Sequence, residues 1–98
     1  MSVWRAEPHE AETVGRLLQR IGATRQVLCV THLPQVAACA DRHLVVRKTD
    51  GPGLPRSEVD LLEDRERIEE VARMLGGVEI TARTRSHAKE MLAASLRQ

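Results

Sequence analysis

Val27-Leu28-Cys29-Val30 is an unbroken apolar run, followed at once by the polar pair Thr31-His32 and then by Pro34. That order predicts a buried strand, a polar tip and a helix with proline in its first turn. A strand that is apolar at every position is one covered on both faces, as central parallel strands are. The run therefore points to the α/β class. A histidine at the carboxyl end of such a strand faces the crevice where open α/β sheets bind ligands.

Helical periodicity brackets this run. From Glu10, the residues Ala11, Val14, Leu17, Leu18 and Ile21 lie on one face of a helix, and Gly22 supplies a stop. Gly15 within it costs roughly 1 kcal/mol against alanine, which suits close packing against a neighbour. Pro34 to Ala40 reads as a short helix. Leu44-Val45-Val46 reads as a second strand. Asp50-Gly51-Pro52-Gly53 is a turn signal. Arg56 to Leu62 alternates, with Val59 and Leu61 set against Glu58 and Asp60, as a half-exposed strand returning in a hairpin would. Ile68, Val71, Ala72 and Leu75 mark a further helix ending at Gly76-Gly77. Ala88, Met91, Leu92 and Leu96 mark a last one over Thr81 to Leu96.

The 98 residues suffice for one small domain. Fifteen basic residues against 14 acidic ones leave a formal charge of +1, too little to advertise nucleic-acid binding by bulk field. Trp4 is the lone aromatic, so the core rests on aliphatic residues and stacking platforms for single strands are excluded. No run approaches the roughly 18 apolar residues of a membrane span. The charged start, MSVWRAEPHEAE, lacks an apolar signal core. A cytoplasmic location is expected, with Cys29 and Cys39 as reduced thiols.

Three groups of residues carry candidate chemistry. His32, at a strand end, suits a ligand contact or a hydrogen bond to backbone. Cys29, His32, Cys39 and His43 form C-x2-H-x6-C-x3-H, which offers zinc donors. The spacing departs from common fingers and spreads the donors over a strand and a helix, so two buried thiols beside two unrelated histidines is the simpler reading, with no metal site. Arg83, Arg85, Lys89 and Arg97, with His87, make the last helix basic enough to meet phosphates. Glu90 interrupts them, as in an ordinary solvated face.

Three blocks go further. They are Glu12-Thr13-Val14-Gly15-Arg16-Leu17-Leu18, then Gln26 to Ala38, then Arg67-Ile68-Glu69-Glu70-Val71-Ala72-Arg73-Met74-Leu75-Gly76-Gly77 with Ile80-Thr81. From about Ala11 to Leu92 the chain resembles the RecN family, bacterial recombinational DNA-repair ATPases of the SMC/ABC type. The resemblance implies a partial P-loop NTPase head with about three strands and four helices. Residues 1–9 would be an irregular lead-in, and residues 10–98 the C-terminal segment of the ATPase head. It makes His32 the switch histidine that contacts the γ-phosphate of ATP, with Thr31 and Gln35 as neighbours supporting its orientation. An intact member would use ATP and Mg, would engage DNA, and would sit with the nucleoid.

Much of that machinery has no counterpart in these residues. There is no GxxxxGK[ST] and no LSGGE-like motif, and Trp4 to His9 stand where a Walker B carboxylate pair is expected. No cofactor and no independent ATPase activity are therefore expected of this chain alone. Its expected partners are the remainder of a RecN-like head or a second copy, with DNA reached through the intact protein and no membrane. The alternative is a non-enzymatic fragment that pairs with a RecN-like partner through open strand edges. In such heads the strands on either side of Val27–Val30 come from segments without a counterpart here. Exposed edges are then expected, unless Val27–Val30 pairs directly with Leu44–Val46.

Overall fold

The computed structural model describes residues 10–77 and 79–96. The expected lead-in, residues 1–9, lies outside them, as do the expected Walker B position and Arg97. The described chain is mixed α/β, with four helices and one two-stranded sheet.

The first helix, α1, spans Ala11–Gly22 and buries Ala11 and Gly15. It ends without a left-handed residue: the Ala23 N–H donates to the Arg20 carbonyl, and those of Thr24 and Arg25 donate to the Ile21 carbonyl. Helix α2 is the single turn Pro34–Ala37, opened by Pro34 as the sequence suggests. It stops short of Ala40 because the chain tightens there. The N–H groups of Cys39 and Ala40 reach back only three residues, to the carbonyls of Val36 and Ala37.

Strands β1 (Leu44–Thr49) and β2 (Arg56–Leu61) form an antiparallel hairpin. Leu44 faces Leu61 and Val46 faces Val59, so one side of the hairpin is apolar. The other side carries the Arg47–Asp60 ion pair at 3.4 Å. Beyond the strands, the Leu62 N–H donates to the His43 carbonyl at 2.9 Å. The alternation in β2 is as read, but the strand is exposed along its whole length, and the buried residue is Leu62 just past its end.

Helix α3 (Asp64–Gly76) starts where the Glu63 N–H donates to the Glu66 carboxylate at 3.1 Å. It ends at Gly77, whose φ of 73° is a left-handed conformation suited to glycine. Helix α4 (Ala82–Ser95) is capped reciprocally by Thr81 and Thr84. The core is in two parts. Ala11, Leu33 and Val36 form one cluster, joined by Val14, Leu18 and Cys29. Val71, Ala72 and Ala88 form the other, joined by Ile68, Leu75, Ile80, Met91 and Leu92.

Val27–Val30 is not a strand. The segment belongs to no sheet among the described residues, which hold two strands and not three. A strand buried on both faces needs cover above and below. Here cover comes from one side: Cys29 packs against the α1–α2 cluster, while Leu28 is exposed and Val30 is 65% exposed. The direct pairing of Val27–Val30 with Leu44–Val46 is not formed, since the ladder of β1 is with β2.

Candidate functional site

His32 stands exposed on the link between the irregular segment 26–30 and α2. The link is shaped locally: the Leu33 N–H donates to the Thr31 hydroxyl at 3.0 Å. Such a hydroxyl turn preorganises the entry to a helix. Leu33 then takes extended angles and turns into the core, with Pro34 and Val36 buried behind it. His32 is thereby left in solvent between an anchored threonine and a buried leucine. Gln35 is also exposed, and its carbonyl accepts the Cys39 S–H at 3.4 Å. Thr31 and His32 thus precede α2, and Gln35 lies within its single turn.

Three contacts fix α2 from behind. Gly15 is the seat on α1. A Cβ there would stand 2.9 Å from the Cys39 Sγ and 3.1 Å from the Gln35 carbonyl oxygen. Gln19, one turn later, donates from Nε2 to the Cys39 carbonyl at 3.1 Å and to the Ser95 carbonyl at 3.0 Å. From α3, Arg67 Nη2 donates to the carbonyls of Ala37 at 3.1 Å and Ala38 at 3.4 Å, and also to that of Ala40. Gln19 and Arg67 escaped the sequence reading. Their carbonyl partners lie 20 to 76 residues away, and no local pattern marks them.

No group of three or more histidine, cysteine, aspartate or glutamate side chains among the described residues could hold a metal ion. Burial pushes both thiols above their ordinary range. For Cys39, Arg16 and Arg67 oppose the shift and Glu12 adds to it. His43 is half-buried and held below the ordinary histidine range by burial and by the Arg67 charge, against the pull of Glu70. On α4, Arg85 Nε donates to Glu69 at 2.7 Å, tying that helix to α3 and reducing its basic character.

Over 82 residues the chain is 48% identical to the DNA repair protein RecN of Halalkalibacterium halodurans, which covers 84% of this chain. The chain is related to RecN. The RecN of Streptomyces coelicolor is 50% identical over 82 residues, and that of Vibrio cholerae 47% over 85. The matching part is the C-terminal segment of RecN. The chain spans only 14 to 15% of the length of these RecN relatives. No family model matches the chain. No helix among the described residues is long and apolar enough to cross a membrane.

Proposed function

We propose that residues 10–98 are the C-terminal segment of a RecN-like P-loop ATPase head that acts in recombinational repair of DNA double-strand breaks. The observation that carries this is the identity with RecN over most of the chain, with His32 in solvent at the amino end of α2. In this reading His32 is the switch residue at the γ-phosphate. A neutral imidazole both accepts and donates, which suits a phosphate oxygen or the attacking water. The Thr31 hydroxyl accepts from Leu33 and keeps its own proton to offer a phosphate oxygen. Gln35 is exposed beside it.

These residues fit one end of a nucleotide, not a whole one. The sequence holds no GxxxxGK[ST] to form a backbone cradle for phosphates, and the remaining contacts to ATP and Mg would come from the rest of a head. Bound MgATP supplies the phosphoryl group; this chain contributes the contacts at His32. Alone, the chain binds no cofactor and does not hydrolyse ATP, because phosphoryl transfer depends almost wholly on positioning and charge stabilisation. Its partners are the rest of a RecN-like head or a second copy, with DNA engaged by the intact, cytoplasmic, nucleoid-associated protein.

A second reading is favoured by the hairpin. Leu44, Val46, Val59 and Leu61 share one side and all are exposed. An apolar face of this kind suits pairing with a RecN-like partner without any catalysis.

Two measurements test the first reading. Phosphate release by the purified chain stays at the no-protein blank; release above it that His32→Ala abolishes would overturn the claim of inactivity. A RecN polypeptide carrying this chain in place of its matching segment restores survival after double-strand breaks to cells lacking RecN. Failure at normal protein levels would overturn the assignment.

A further inference from the structure

The carboxyl end of α2 presents four consecutive carbonyls, and side chains from two other helices take all of them. Gln19 takes that of Cys39, and Arg67 Nη2 takes those of Ala37, Ala38 and Ala40. Carbonyls at a helix end carry partial negative charge, so a guanidinium is favoured there. Arg67 does more than neutralise. Its Nη2 alone is shared among the three carbonyls while Nε is buried without a partner among the described residues, so the side chain holds one corner of the turn in a fixed place. The other end of the same turn carries His32, held through the Thr31–Leu33 hydrogen bond. Between the two ends lie the buried residues Leu33, Pro34, Val36 and Ala37. Packed side chains of this kind have little room to absorb a displacement. A shift at one end of a single stiff turn is therefore passed to the other.

We propose that Arg67 is the positioning residue for His32: by gripping the carboxyl end of α2, it sets where the imidazole meets the γ-phosphate of a nucleoside triphosphate. This rests on the reading of His32 as the phosphate switch. Arg67 itself touches no nucleotide. It acts through α2, so its loss affects turnover more than nucleotide affinity.

The test uses the RecN polypeptide carrying this chain in place of its matching segment, with ATP as the probe. Arg67→Met lowers kcat by about tenfold while the ATP Kd stays within about twofold, the pattern of an interaction realised mainly in the transition state. Arg67→Lys recovers part of the loss. If His32→Ala slows turnover and Arg67→Met does not, the positioning role is wrong and the switch stands. If His32→Ala also leaves turnover unchanged, both fall. Two-dimensional NMR of the 98-residue chain gives a readout independent of activity. Arg67→Lys shifts the amides of residues 37–40 and, through α2, those of residues 31–33. Shifts confined to residues 37–40 would overturn the proposal.

Discussion

The Sγ of Cys39 lies 2.9 Å from the point a Cβ on Gly15 would occupy. Helices α1 and α2 thus meet at a distance that glycine permits and alanine does not. Gly22, on the same helix, has nothing within 4 Å of its notional Cβ.

The two glycines predict opposite responses. Gly15→Ala gains roughly 1 kcal/mol of helix propensity but forces overpacking that costs about 1–3 kcal/mol. The Gln35 carbonyl at 3.1 Å is backbone and yields little. Net destabilisation of about 1 kcal/mol is expected. Gly22→Ala stabilises by up to about 1 kcal/mol, since it meets no neighbour. Urea unfolding followed by circular dichroism ranks the two. Equal stabilisation by both would show that α1 and α2 separate freely.

His43 predicts a dependence on pH. Burial and Arg67 hold it below its ordinary value of 6.5, so the folded chain prefers the neutral imidazole. The unfolded chain binds a proton first as pH falls below that value. Stability from this residue is thus complete above pH 6.5 and declines as pH drops towards the lower folded value. In the same direction but at lower pH, Glu70 is held below its ordinary 4.5 chiefly by its hydrogen bond from Arg73. Melting temperature measured from pH 7.5 to 5.5 falls in the native chain and falls less in His43→Gln. Parallel curves would remove His43 as the cause.

The hairpin predicts association. Val46 and Val59 face each other and are 64% and 61% exposed. With few large buried side chains to supply surplus stability, the isolated chain is expected to be marginally stable or to self-associate. Val46→Lys reduces light scattering at high concentration and leaves helicity intact. A monodisperse native chain melting sharply well above about 60 °C, the upper part of the usual mesophile range, would contradict this.

What was legible in the sequence is what local chemistry decides. The helices α1, α3 and α4 follow from spacing, though of their apolar stripes Leu17 and Ile21 on α1 and Leu96, just past α4, stand exposed for want of a neighbour among the described residues. Gly77 marks its helix end through a backbone angle that other residues avoid. Asp50 to Gly53 announce the hairpin turn. Val27–Val30 misled because an apolar run shows what a segment would bury, not whether a neighbour is there to bury it. His32 stands out in the sequence because it sits between a hydroxyl and a proline in a recognisable order. The grip of Arg67 on α2 depends on helices thirty residues apart meeting in space, which no short window contains.

The two apolar clusters share no residue. Gln19 on α1 reaches Ser95 at the end of α4, and Arg67 on α3 reaches α2, so directed polar bonds cross the seam between the halves. Hydrocarbon contacts slide and re-form with little preference for angle, whereas hydrogen bonds to carbonyls break once misaligned. A seam of this kind resists rotation until it releases. The α1–α2 half, which bears His32, is then free to open as a cooperative unit while α3 and α4 stay folded. In hydrogen exchange, the amides of α2 would report that release before those around Val71.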